Sequence, residues 1–335
     1  MLAKFIFIHL LLPTVGCLGI VGNCCLIWLF IKANIRLNFH RLMIVLAIYD
    51  TILVALCIVV FVLPEFVESY KSDGYHYHIA PFAIPLAQTS LTGSIYCTVG
   101  ISIERYLTVC HPFYLSRNKW SAKRYIIPIV LFSILYNTTR FFEYRMEYID
   151  LDEIKSKLPI LMQNDDDVTQ NYGYEIKFTS LRQNKYYYSI YTIGCNFVFN
   201  GLVPFSIIIS LNLLLYKRLK QIWKETPRES ISSAHLGGRK DSMGRRMILN
   251  ERELAKVSLI VSIIFVICNS IRWIPNIYEL ILRLKHEDVK GFEWPGWVNC
   301  MIQVNHFLIV FNSSVNFYIY YFTHYGMPLK CCKIK

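Results

Sequence analysis

Seven long apolar blocks dominate the chain: His9–Ile31, Leu42–Leu63, Ile79–Val109, Tyr125–Phe142, Tyr187–Tyr216, Leu254–Leu282 and Trp297–Phe322. A run of about 20 apolar residues crosses the ~30 Å hydrocarbon layer of a bilayer, whereas shorter runs suit the core of a soluble domain. Backbone groups in lipid must pair within the protein, so each block is a helix or a strand of a closed barrel. Barrel strands are about 10 residues long and alternate in polarity; these blocks do neither. The chain therefore reads as one all-α, seven-span membrane domain over residues 1–335. Only 17% of residues are charged and 54% are hydrophobic, against roughly a quarter charged in soluble domains. Met1–Leu12 begins like a secretory signal, with one Lys ahead of an apolar run. The run continues to Ile31, too long for a cleaved signal, so it is read as the first span.

Loop charge sets the orientation. Lys32, Arg36 and Arg41 follow the first block; Arg117, Lys119, Lys123 and Arg124 follow the third; Lys217–Arg252 is strongly basic; Lys330, Lys333 and Lys335 end the chain. All fall on one side of a seven-span chain, and Asp165, Asp166 and Asp167 fall on the other. The expected arrangement has the N-terminus outside and the C-terminus cytoplasmic, in a multi-pass plasma-membrane protein. The net charge of +12 then faces anionic lipid and is not a nucleic-acid signal. The outer loop 143–186 is long and polar, with part of it hairpin-like or poorly ordered. The inner loop 224–246, with Pro227, Gly237, Gly238 and several serines, has a disorder-favouring composition. Cys331 and Cys332 sit where juxtamembrane palmitoylation occurs. Asn137-Thr138-Thr139 fits a glycosylation sequon but lies close to the bilayer.

Ionisable residues within spans are costly and are functional candidates by default. Asp50, Glu104–Arg105 and Arg272 qualify. Asn23, Ser94, Asn312, Ser313 and Asn316 lie at mid-span alongside Asp50, an oxygen-rich set suited to a hard cation or to a hydrogen-bonded network that only packs helices.

Gly22-Asn23, Leu46-Ala47-x-x-Asp50, Glu104-Arg105-Tyr106 with Cys110-His111-Pro112-Phe113, Pro204, Phe265-x-x-Cys268 and Asn316-Phe317-x-x-Tyr320 stand in the order of rhodopsin-like G-protein-coupled receptor motifs, and the chain resembles that family over almost its whole length. Tyr136–Glu143, Cys268–Asn276 and Asn312–Phe317 look more narrowly like invertebrate FMRFamide-type neuropeptide receptors. The chain departs from the family pattern in places. Asn269 and Ile271 replace the usual Trp-x-Pro, with Pro275 expected to kink the helix about one turn further out. Phe317 replaces the seventh-helix proline. Ala80 stands where one cysteine of an outer-loop disulfide is usual, and no cysteine lies between Asn137 and Lys185.

The resemblance implies a switch at Arg105 with Glu104, Tyr106, Glu251 and Tyr320, a G-protein contact at Phe113, and a transmission triad of Ile95, Pro204 and Phe265. It implies an allosteric sodium ion held by Asp50, Ser94, Asn312, Ser313 and Asn316, and no required cofactor. An outward-opening pocket would be lined by Gln88, Tyr191, Trp273, Tyr278 and His306, with Glu65, Glu143 or Glu279 to pair a ligand cation. The implied partners are an extracellular Arg-Phe-amide peptide, a heterotrimeric G protein, arrestin and membrane lipid.

Other functions fit less well. No lysine occurs in Trp297–Phe322 to carry retinal, and Ala87 stands where an amine receptor has Asp. There is no polar path for a channel or transporter, and no metal-ligand spacing or nucleophile–base pair for an enzyme. A receptor for a small chemical, or a seven-helix protein that does not signal through G proteins, stays open as an alternative.

Overall fold

The computed structural model describes residues 5–32, 37–72, 74–117, 121–148, 174–225, 239–285 and 295–324. Helix α1 (Leu12–Lys32) extends a π-helical start at Phe5–Leu11, and α2 (Asn38–Cys57) continues through Ile58–Val62 into Leu63–Phe66. Helix α3 (Tyr75–Cys110) is followed by a short helix, Pro112–Arg117. Helix α4 (Lys123–Asn137) tightens into a 3-10 turn, Thr138–Phe142. Strands β1 (Tyr144–Tyr148) and β2 (Tyr174–Phe178) pair antiparallel, Tyr144 opposite Phe178 and Tyr148 opposite Tyr174. The short helix Ser180–Gln183 leads through Tyr187–Cys195 and Val198–Leu202 into α5 (Val203–Glu225). Then come α6 (Arg239–Ser270), α7 (Trp273–Lys285), α8 (Gly296–Ser314) and α9 (Asn316–His324).

Several boundaries differ from the sequence expectation, each for a local reason. Helix α3 begins at Tyr75 because Gly74, at a φ of 79°, takes the left-handed turn that other residues avoid. Helix α6 begins at Arg239, inside the segment expected to be disordered. The sixth apolar block divides at Ile271–Arg272, since Pro275 has no N–H to give to the carbonyl four residues back. The seventh block divides at Val315. Residues 226–238 of the inner loop, Asp165–Asp167, Cys331 and Cys332 lie outside the described residues. Glu251 lies on the α6 backbone, but its side chain is outside what is described.

Helix α3 is the hub, packing against α2, α4, α5 and α6, while α1 packs on α2, α8 and α9. One core gathers Leu26, Phe30, Phe39, Leu46, Ile101, Val257 and Tyr320. The other gathers Leu53, Val54, Ile95, Ile208, Phe265 and Val310. At the α2–α3 crossing, a Cβ on Gly93 would fall 2.6 Å from Tyr49 Cδ1, so glycine permits the close approach. The Tyr49 hydroxyl continues to Ser133 Oγ of α4 at 3.0 Å.

The polarity of the bundle is inverted relative to a soluble protein. Trp28, Leu135, Leu213 and Ile263 are exposed on its outer faces, while Asn23, Asp50, Ser94 and Arg105 are buried. That pattern suits a lipid solvent, where polar groups find partners only inside the protein. Five stretches among the described residues are long and apolar enough to cross a membrane: Ile6–Lys32, Asn38–Phe66, Lys123–Phe142, Tyr187–Gln221 and Glu253–Leu282. Helix α3 is diluted by Gln88, Thr89, Ser90 and Thr92, and α8 by Asn299, Gln303, Asn305 and His306.

Candidate functional site: three polar clusters along one helix

Helix α3 carries three polar clusters in sequence, at Gln88, Ser94 and Arg105. Gln88 and Arg105 lie about 25 Å apart at 1.5 Å per residue.

The first cluster surrounds a cavity of about 150 Å³ beside the β1–β2 hairpin. Gln88 comes from α3, Arg140 and Glu143 from the turn ending α4, and Arg182 from the helix after β2. Asn196 precedes α5, Arg272 sits in the α6–α7 break, and Glu279 is on α7. Glu143 is buried and accepts hydrogen bonds from Arg182 Nη1 at 2.7 Å and the Tyr187 hydroxyl at 2.9 Å. Thr179 N donates to the Glu143 carbonyl at 3.0 Å, and the Thr179 hydroxyl to the Phe142 carbonyl at 2.6 Å. The cysteines of the described residues are all free, so these bonds, not a disulfide, fasten β2 to the end of α4.

Below the cavity a buried relay crosses four segments. Asn137 Nδ2 and Asn200 Nδ2 both donate to Thr92 Oγ1, at 3.0 and 3.3 Å. Asn200 Nδ2 also donates to Asn196 Oδ1 at 2.9 Å, as does Arg272 Nη2 at 3.3 Å. Asn137 is therefore buried and committed, which removes its sequon from reach.

The second cluster is centred on Asp50, which is 0% exposed. The apolar face of α2 (Leu46, Ala47, Leu53, Val54) recurs at helical spacing and carries Asp50 into the core with it. Ser94 Oγ donates to its Oδ1 at 2.7 Å and Asn316 Nδ2 to its Oδ2 at 2.8 Å. The Ser313 side chain is a third hydrogen-bond partner, and Asn23 Nδ2 donates to the Ser313 carbonyl at 3.0 Å. Residues from α3, α8 and α9 thus meet at the carboxylate carried by α2, and Asn23 of α1 joins them through the Ser313 carbonyl. Asn23 Oδ1 is buried with no donor among the described residues. The set has one carboxylate, hydroxyls and amide oxygens, which fits a hard monovalent cation in ligand type.

The third cluster closes the other end of α3. Arg105 Nε and Nη2 both donate to Glu104, at 2.5 and 2.8 Å, and the guanidinium lies 4.7 Å from the Phe39 ring centroid. Both residues are buried. Thr108 Oγ1 donates to Glu104 Oε1 at 3.2 Å. Tyr320 is buried nearby, its ring edge-on to Phe30 at 4.8 Å and its hydroxyl 3.5 Å from His40 Nε2. The Tyr106 hydroxyl lies 3.2 Å from His111 Nε2. Phe113, two residues on, is 89% exposed.

Residues 22–320 match the model for the seven-transmembrane receptor family of rhodopsin type. The chain belongs to the rhodopsin family of seven-transmembrane receptors. This receptor is 29% identical over 319 residues to the FMRFamide receptor of Drosophila melanogaster, covering 92% of this chain and 50% of that one. It is 25% identical over 311 residues to the FMRFamide peptide receptor frpr-18 of Caenorhabditis elegans, covering 90% and 63%. The probable G-protein coupled receptor frpr-1 of the same nematode is 21% identical over 338 residues, covering 95% and 76%. The chain thus spans about half the length of the Drosophila relative and under two thirds of frpr-18.

In this receptor the residues expected at the ligand end divide into two groups. Gln88, Glu143 and Glu279 line the cavity; Tyr191, Trp273, Tyr278, His306 and Glu65 do not. The Tyr191 hydroxyl donates to the Tyr136 carbonyl, and its ring stacks on Tyr187 at 5.1 Å. Trp273 is edge-on to Phe197 at 5.0 Å, and a Cβ on Gly201 would fall 2.8 Å from its Cε2. Tyr278 is edge-on to Trp297 at 5.0 Å, His306 stacks on Phe61 at 4.3 Å, and His9 lies 3.7 Å from Glu65. These rings pack against one another, which buries more apolar area than facing a polar cavity would. Ile95 and Phe265 share a core, with Phe205 edge-on to Phe265 at 5.6 Å beside buried Pro204. Sequence reasoning missed Arg140, Arg182 and Asn196 as cavity residues, and flagged Arg272 only as a charge intruding on a span. That intrusion was the usable signal.

Proposed function

We propose that this receptor takes an extracellular Arg-Phe-amide-type peptide at the hairpin-end cavity and conveys its binding to a heterotrimeric G protein at the Arg105 end. The observation that carries this reading is that α3 bears the lined cavity at one end and the buried Arg105–Glu104 pair at the other. A ligand that favours one packing of the bundle shifts the opposite end by the same free energy. In this reading α1 to α9 form seven spans, the N-terminus and hairpin face outward, and the basic loops and C-terminus face the cytoplasm at the plasma membrane. The two relatives named for FMRFamide support the peptide class. Gln88 and Glu279 would meet the ligand's amide and cation, and Phe113 would dock in the G protein. Breaking the Arg105–Glu104 pair would free the guanidinium for the G protein, with arrestin competing for the same face. Asp50, Ser94, Asn312, Ser313 and Asn316 would hold a sodium ion that biases the resting packing. Basic loops, with Cys331 and Cys332 as lipid attachment points, would hold the inner face to lipid.

The test is a calcium or cAMP assay in cells with confirmed surface expression. The expected result is a response to an amidated Arg-Phe peptide that falls about tenfold or more in Glu279→Gln, the size of a lost charged hydrogen bond. Silence to all such peptides at micromolar dose sinks the peptide reading and leaves the small-chemical alternative.

A further inference from the structure

The same cavity holds more positive charge than its own acids neutralise. Arg140 and Arg272 are 6% and 5% exposed. Among the described residues, Arg140 Nε and Nη2 and Arg272 Nη1 meet no acceptor. Arg272 spends one nitrogen on Asn196 Oδ1. The charged neighbour acting on Arg272 is Arg140, of like sign. The cavity's acids gather elsewhere: Glu143 is bonded to Arg182, and Glu279 acts on Arg182 as well. Trp273 lies 4.7 Å from the Arg272 guanidinium and Tyr191 lies 5.7 Å from that of Arg140. Those ring faces attract a desolvated cation, but they do not accept the in-plane N–H groups.

A buried cation without an anion is strongly unfavourable, and two lining one cavity more so. Such a pair persists where an anion completes it, and the guanidinium fork matches a carboxylate. We propose that Arg140 and Arg272 form a carboxylate-accepting subsite, so that the ligand carries an acidic side chain in addition to any cation paired by Glu279. The cavity, at about 150 Å³, is smaller than the ~300–1,000 Å³ of drug-sized pockets, and so encloses only short charged groups at one end of the ligand. Ile84, Tyr144, Tyr188 and Ile193 also line the cavity and favour an acid carried next to an apolar or aromatic group. This inference rests on the cavity being the ligand end.

The experiment compares hippurate with its neutral counterpart hippuramide as probes of the purified full-length receptor, read by thermal unfolding. Hippurate is expected to raise the midpoint by about 2 °C or more beyond hippuramide. Arg140→Gln with Arg272→Gln abolishes that difference, and Arg272→Lys keeps part of it. Equal shifts from the two probes in the native chain overturn the subsite, as does a difference that survives in the double Gln variant. The native-chain comparison needs no variant to fold. A carboxylate-specific shift without any response to Arg-Phe-amide peptides keeps the subsite and removes the peptide reading. A peptide response without that shift does the reverse.

Discussion

Arg182 donates to Glu143 at 2.7 Å across 39 residues of chain, tying the short helix after β2 to the end of α4. Glu143 is buried and Arg182 nearly so. Glu143→Gln keeps the shape but strands the guanidinium, and breaking a buried pair of this kind costs about 3 kcal/mol. The expected outcome is a lower unfolding midpoint and faster proteolysis near the hairpin. Replacing both partners by Leu and Met should cost less than the single change. Additive losses would show that the two residues act separately.

Asp50 accepts from both Ser94 and Asn316. Asp50→Leu leaves both donors buried without an acceptor, at about 1–3 kcal/mol each, whereas Asp50→Asn keeps the shape and one carbonyl acceptor. Sodium should raise the unfolding midpoint of the native receptor relative to choline, and Asp50→Asn should remove that increment. An undiminished sodium effect in Asp50→Asn would place the ion elsewhere.

Glu104 holds both Nε and Nη2 of Arg105 in a buried setting. Glu104→Gln releases the charge-assisted clamp and destabilises the packing that depends on it. Basal nucleotide exchange on a co-expressed G protein is expected to rise by about tenfold, the equivalent of 1.4 kcal/mol. Basal exchange equal to that of the native chain would show that this pair does not restrain activity.

On the hairpin, Glu147 is bonded to Lys177 across the strands and lies 3.2 Å from Arg145. The Lys177 hydrogen bond holds the Glu147 carboxyl below its ordinary value of 4.5, and the same bond raises Lys177 above 10.5. A depressed carboxyl contributes above its unfolded value and loses that contribution as pH falls through the folded one. A raised ammonium contributes below its unfolded value and loses it as pH rises through the folded one. The pair therefore supports the hairpin between about pH 4.5 and 10.5 and releases it outside that window. Protection factors at β1 and β2, with the intrinsic pH dependence of amide exchange divided out, should fall below pH 4 in the native chain and change little with pH in Glu147→Gln. Both groups are exposed, so the effect is small and local.

The bundle was legible because its apolar runs have the length of a bilayer, and Asp50 and Arg105 stood out because charge inside such runs is rare. Pro275 announced a disturbance of the sixth block, but the interruption falls at Ile271–Arg272, where the missing proline N–H leaves its mark. The cavity was harder to read. Tyr144, Arg182, Tyr188 and Arg272 meet across distant segments, and Arg182 sits in a polar loop where a charge attracts no notice. The aromatic residues expected to face a ligand instead face other rings of the bundle, since ring-to-ring pairing is a tertiary choice that spacing along one helix does not encode.

The division between α6 and α7 has a mechanical meaning. An unbroken rod would carry a push at Glu279 straight down to Glu253. Here Ile274 N reaches back only to the Ile271 carbonyl, at 3.2 Å, and Pro275 contributes no rung to the ladder. Bending stiffness is lowest at that point, so a load on the segment bearing Asn276 and Glu279 is expected to tilt it about Ile271–Arg272 as a fulcrum rather than to travel down a straight rod.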